Sequence, residues 1–149
     1  MNIVWMDLEF TSFDNPQILE CAVIITNKDL QEIERKQWII HFDQDFLNGL
    51  SDWHQNAFKD IDEGGNGLFK DVINSKIRKE QVEIELLDLL KEYCPEKACP
   101  LAGSSIHVDK RVLKLEMPSV DNYLHYRVID VSSFTEIMKR WTPKTASQF

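Results

Sequence analysis

Hydrophobic and polar positions follow recognisable periods along most of this chain. Residues 3–9, IVWMDLE, form an apolar run with two acids in it and predict a strand. Residues 18–26, ILECAVIIT, are almost wholly apolar and β-branched, the pattern of a central strand covered on both faces. NKDL at 27–30 predicts a turn and residues 33–42 a third strand, so the first third of the chain is expected to be an antiparallel meander. SDWHQNAF at 51–58 predicts a short helix, and DIDEGGNG at 60–67 an acidic, glycine-rich loop. Val82, Leu86, Leu89, Leu90 and Tyr93 recur at helical spacing, giving a helix over 80–93 that stops before Pro95. CPLAG at 99–103 predicts a short strand entering a turn. Val108, Val112 and Leu115 then mark a helix that ends before Pro118, and YRVID at 126–130 is a last short strand. SFTE at 133–136 has the form of a capping box, with Ser133 and Glu136 satisfying free amides at a helix start. Phe134, Ile137, Met138 and Trp141 are the face that helix is expected to bury. The order of elements, three strands and then α, β, α, β, α, gives one α/β domain over residues 1–149 with a mixed five-stranded sheet.

Composition narrows the functional classes. The 149 residues are 43% hydrophobic and 28% charged, enough for a substantial core. The formal net charge of −8 argues against broad electrostatic binding to long nucleic acid, and no long-duplex DNA binding is expected. A short anionic substrate held by a few cations and metal ions stays compatible with it. No apolar run is long enough to span a bilayer, and MNIVWMDLEF lacks a basic region followed by a signal-type stretch. Cys21, Cys94 and Cys99 are odd in number and have no zinc spacing with histidine, which fits a reduced compartment. An intracellular protein without membrane association is the expectation, cytoplasmic in the first place, with mitochondria as the other compartment.

The acids within the first strand raise a chemical question. Side chains two apart on a strand share a face, so Asp7 and Glu9 project together. Adjacent unpaired carboxylates repel, and a bound divalent cation removes the conflict; hard oxygen ligands suit Mg²⁺ or Mn²⁺. A solvated strand face, or pairing with lysines, is the structural alternative. Asp109 opens the helix after CPLAG, where it can serve as a helix-start charge or join a site at the strand ends. Asp60, Asp62, Gly65 and Asp71 also fall at EF-hand-like offsets, although Gly64 occupies a ligand position and the closing residue is not glutamate.

Several segments, in order, carry a family resemblance. MDLEFT at 6–11, SDW at 51–53, CPLAGSSIHVDKRVL at 99–113 and LHYRVIDVSSFTEIMKRWTP at 124–143 together resemble an oligoribonuclease, a member of the DEDD exonuclease superfamily with an RNase H-like fold. The resemblance covers roughly residues 2–143. It implies 3′→5′ hydrolysis of short single-stranded RNA to 5′-mononucleotides with two Mg²⁺ or Mn²⁺ ions. It assigns Asp7, Glu9 and Asp109 to the catalytic metal cluster. Ser105, Arg127 and Ser132 fall where the family holds the terminal phosphate, and Phe13 and Trp53 where bulky side chains wedge against bases. Tyr126 falls where the family reaches across a homodimer interface toward the partner's site.

The sequence departs from that family at its third motif, a histidine followed by a metal-binding aspartate on a final helix. The residues WTPKTASQF carry neither, and Gln148 falls in the histidine's place. His107 is the histidine nearest Asp109 in sequence; for His41, His54 and His125 a core or surface place is expected. Phe58 stands about where some relatives carry a histidine facing substrate. The expectations are weaker metal affinity, a rate lowered by about 10²–10⁴-fold without the base, and an uncovered apolar patch exposing Phe134 and Trp141. A non-catalytic relative that binds short RNA or dimerises is the alternative function.

Overall fold

A computed structural model of the chain describes residues 1–148. Three strands come first, β1 (Ile3–Phe10), β2 (Ile18–Thr26) and β3 (Glu32–Ile39). Helices α1 (Gln44–Asn48), α2 (Asp52–Phe58), α3 (Leu68–Asn74) and α4 (Lys79–Tyr93) lead to β4 (Leu101–Gly103). Then follow α5 (Ile106–Glu116), α6 (Pro118–Tyr123), β5 (Val128–Asp130), α7 (Val131–Trp141) and α8 (Pro143–Ala146). The sheet order is β3-β2-β1-β4-β5. β1, β2 and β3 pair antiparallel, while β4 joins β1 and β5 joins β4 in parallel. The meander and the mixed five-stranded sheet are as the sequence predicts. The third strand ends earlier, at Ile39; Ile40 still donates its amide to the Leu19 carbonyl and forms an isolated bridge with Ile77.

One face of β1 buries Val4, Met6 and Leu8 against Val82, Leu86 and Leu90 of α4 and Ile106, Val112 and Leu113 of α5. Trp5, Asp7 and Glu9 occupy the other face. β2 reads as continuously apolar for a specific reason. Glu9 pairs with Glu20 but Phe10 with Ile18, so a bulge leaves Leu19 without a partner in β1. Leu19 then packs in a second cluster with Leu47, Phe58, Leu68, Phe69 and Val72. The acidic loop turns back on itself through a 3₁₀ turn at Ile61–Glu63, with the Gly67 amide bonded to the Lys59 carbonyl.

Two helices differ from expectation. The buried stripe of α5 is Ile106, Asp109, Val112 and Leu113, with Leu115 exposed and Val108 half-buried. A search for apolar spacing passes over this stripe because one of its members is an acid. α7 starts at Val131 rather than behind Ser133: the Asp130 side chain, not Ser133, accepts from the helix start. Its expected buried face lies largely in solvent, with Phe134 61% and Trp141 73% exposed, Ile137 exposed and Met138 half-buried. The periodicity is real, but β5 is a three-residue edge strand and offers little surface to cover it. The exposure of Phe134 and Trp141 matches the expectation of an uncovered patch.

β4 lies close against its neighbours at Gly103, where a Cβ would stand 2.9 Å from Ile106 Cδ1 and 3.1 Å from the Met6 carbonyl oxygen. Substituting Gly103→Ala is expected to lower unfolding free energy by about 1–3 kcal/mol. Urea denaturation with an unchanged slope and a lower midpoint is the expected result; an unchanged midpoint contradicts this packing.

Candidate active site

β1 outruns β4. The short strand pairs with β1 at Val4 and Trp5, so the Leu8 amide, farther along, has no strand to bond. Asp109, in the first turn of α5 and 8% exposed, supplies the acceptor: Leu8 N–H donates to Asp109 Oδ1 at 3.0 Å. This places the Asp109 carboxylate against the backbone between Asp7 and Glu9, which flank Leu8 on the opposite face of the strand. Asp7 is exposed and Glu9 half-buried, so β1 is buried on one face and the acids look out from the other. Glu20 stands opposite Glu9 on β2 and accepts from Gln37 Nε2 at 2.7 Å.

Among the described residues none of Asp7, Glu9, Glu20 or Asp109 forms an ion pair. Burial, reinforced by the charges of Asp7, Glu20 and Asp109, raises the Glu9 carboxyl from its ordinary 4.5 to about 7. Burial also raises Asp109, against the lowering effect of the Leu8 amide, and Asp7 adds to the rise. Clustered, uncompensated oxygen donors are the chemistry a hard divalent cation selects. The side chains are not closed around such an ion: among the described residues, the 60–71 loop included, no group of three or more His, Cys, Asp or Glu side chains is placed to hold one.

Glu9 also lines a cleft of about 690 Å³ together with Phe10, Phe13, Ser51, Trp53 and His54. Phe13 is 65% and Trp53 64% exposed. The Phe13 ring packs edge-on to Phe10 at 5.6 Å, and Trp53 edge-on to His54 and Phe58 at 5.2 and 5.5 Å. Ser51 caps α2 and bonds His54 Nδ1, while His54 Nε2 lies 3.2 Å from the Phe10 carbonyl. His54 thus ties the end of β1 to the helix bearing Trp53. Arg111 Nη1 donates to the Phe13 carbonyl at 2.5 Å. Phe58 is buried in the second core cluster.

Of the remaining expected residues, Ser105 and Ser132 lie past the C-terminal ends of β4 and β5, and Tyr126 and Arg127 precede β5 at its other end. Ser105 precedes α5 with φ +53° and donates its amide to Asp130 Oδ1 at 2.9 Å. The Ser132 hydroxyl donates to the same oxygen at 2.7 Å. Asp130 is held below the usual carboxylate range, first by that hydroxyl and then by the Ser132 and Ser105 amides and His107. Arg127 lies 4.9 Å from the centre of the Tyr126 ring, itself stacked on His125 at 4.7 Å; Tyr126 is 72% exposed. Among the described residues no hydrogen bond joins Arg127 to Ser105 or Ser132. The structure therefore brings together Asp7, Glu9 and Asp109, places Phe13 and Trp53 on one cleft, and links Ser105 to Ser132. Glu20, His54, Arg111 and Asp130 belong to these clusters but are not evident from sequence spacing. A lone acid in the apolar run of β2 is the one available signal for Glu20.

The exonuclease family profile matches residues 4–149. An oligoribonuclease of Chromobacterium violaceum is 36% identical over 148 residues, 97% of this chain and 79% of that protein. A probable oligoribonuclease of Dictyostelium discoideum is 40% identical over 144 residues, 95% of this chain and 73% of that protein. Among solved structures, Escherichia coli exonuclease I in complex with a dT13 oligonucleotide superposes with a TM-score of 0.68 at 13% identity, over 96% of this chain. Exonuclease I from Methylocaldum szegediense gives 0.67 at 14% identity. At that identity the likeness is one of fold, and the present chain spans 30% of each of those chains.

Glu9 gives the cluster a measurable signature. Its proton is held more tightly in the folded chain than in the unfolded one. Its contribution to stability is therefore present below its ordinary value of 4.5 and lost as pH rises through about 7. In chelator, Glu9→Gln is expected to melt above wild type near about pH 8, with the gap closing near about pH 5. Added Mn²⁺ is expected to raise the wild-type melting temperature at the higher pH more than that of the variant. A difference independent of pH contradicts the electrostatic description.

Proposed function

Because this chain belongs to the exonuclease family and is a relative of the oligoribonucleases within it, we propose that it is a 3′→5′ exoribonuclease releasing 5′-mononucleotides from very short single-stranded RNA. The observation that carries this reading is the Leu8–Asp109 hydrogen bond, which fastens a third carboxylate to the strand between Asp7 and Glu9, Glu9 itself lining the aromatic cleft.

In this reading Asp7, Glu9 and Asp109 hold the divalent cations, Mg²⁺ or Mn²⁺. When bound, the ions supply Lewis-acid activation of the scissile phosphate and of water, in the two-metal manner of phosphodiester hydrolysis. The chain's own residues do the rest. The exposed rings of Phe13 and Trp53 offer flat apolar surfaces to the bases, which every base can use. Ser105 and Ser132 stand together past the C-terminal ends of β4 and β5 to hold the terminal phosphate, and the Arg127 side chain, rooted before β5, is the cation we assign to that phosphate. The small cleft and the net charge of −8 limit binding to short RNA. A homodimer is the assembly we assign, supported by the exposed Phe134, Ile137 and Trp141 and by the outward Tyr126.

One observation favours a second reading, a relative that binds short RNA without cleaving it. Each of the four histidines has a partner outside the acid cluster: His41 the Val72 and Ile73 carbonyls, His54 Ser51 and the Phe10 carbonyl, His107 Asp130, and His125 the Arg127 amide. None is bonded to an acid of the cluster as its proton acceptor.

The two readings separate in one assay, with a 5′-labelled RNA pentanucleotide and Mn²⁺. Stepwise shortening from the 3′ end, with Asp7→Ala lowering kcat by more than about 100-fold, is the expected result. Tight binding of the same RNA without any shortening establishes the second reading instead.

A further inference from the structure

One carboxylate ties together the two turns that carry Ser105 and Ser132. β4 and β5 run in parallel with Gly103 level with Asp130, so the turn into α5 and the start of α7 lie side by side. Asp130 ends β5 and caps α7: its Oδ1 accepts from the Ser132 amide at 2.9 Å and the Ser132 hydroxyl at 2.7 Å. The same oxygen accepts from the Ser105 amide at 2.9 Å, and Oδ2 stands 3.5 Å from His107 Nδ1. Capping α7 requires the contacts to Ser132 alone. The bond to Ser105 is additional, and it holds a residue at φ +53°, ψ +36°, a conformation that residues with a Cβ seldom adopt unrestrained.

We propose that Asp130 is a positioning residue for the terminal phosphate of the substrate: through one oxygen it sets the separation and orientation of Ser105 and Ser132. This rests on the exoribonuclease reading and on the roles it gives those two serines. Asp130 does not itself meet the phosphate; its charge is taken up by three donors and faces His107. The corner is thereby ordered before substrate arrives, so the residue acts on binding rather than on bond cleavage.

Two substitutions distinguish this from a plain helix cap. Asp130→Asn keeps the length and an oxygen able to accept from both amides. Asp130→Ser caps a helix as well as aspartate does, but its side chain is one atom shorter and cannot span to Ser105. With the RNA pentanucleotide and Mn²⁺, D130S is expected to raise KM about tenfold with kcat within about twofold and the melting temperature retained. D130N is expected to hold KM within about threefold of wild type. An unchanged KM in D130S, or kcat falling in proportion in both variants, overturns the proposal. Should D130S fail to fold, hydrogen exchange at the Ser105 amide decides: protection in wild type and D130N supports the tie, and exchange at an unprotected rate removes it. If wild type binds the RNA but cleaves none, the exoribonuclease reading fails alone, and the same comparison made on Kd by fluorescence polarisation still tests Asp130. If wild type binds no RNA, both fall.

Discussion

The hydrogen bond from the Leu8 amide to the Asp109 carboxylate joins residues 101 apart in sequence, and the site depends on it. A buried amide left without a partner costs about 1–3 kcal/mol. β4 is too short to bond the Leu8 amide, so the fold needs an acceptor at that point. An aspartate in the first turn of α5 provides one and, in doing so, carries a charge to the strand that already bears Asp7 and Glu9. A requirement of the backbone and a requirement of the site are met by one side chain.

Charge follows from that placement. Burial, reinforced by the charges of Asp7, Glu20 and Asp109, lifts the Glu9 carboxyl to about 7, and among the described residues none of these four acids forms an ion pair. Elsewhere the chain does pair its acids, as at Lys79–Glu116 and Lys110–Asp121, both at close range. At one end of β1 four acids instead gather with no ion pair among the described residues. Of these acids Glu9 also lines the cleft that holds the exposed rings of Phe13 and Trp53. The two serines at the ends of β4 and β5 extend the same edge of the sheet, where parallel strands deliver loops side by side.

Much of this was legible in the sequence, for particular reasons. β1, β2 and β3 were readable because alternation and β-branching act locally and their turns are short. The helix over residues 79–93 was readable because its stripe is purely apolar. α5 was found but its face misplaced, because the stripe that packs includes Asp109. α7 was found but its cap and burial were not: Asp130 outcompetes Ser133 by lying at the end of the strand, and the sheet beneath is too narrow to bury Phe134 or Trp141. α1, α3, α6 and α8, of four to seven residues each, are too short to show a period. Of the site, Asp7, Glu9 and Asp109 could be named from residue type and order, whereas Glu20 and Asp130 depend on strand register, which no spacing rule reveals.

The most direct test of this account is a titration of the isotopically labelled protein with Mn²⁺, followed by broadening of its backbone amide signals. The account predicts that the amides of Asp7, Leu8, Glu9 and Asp109 broaden together at the first additions. Broadening that begins elsewhere, or that affects β1 while leaving Asp109 sharp, contradicts ion binding across the Leu8–Asp109 bond.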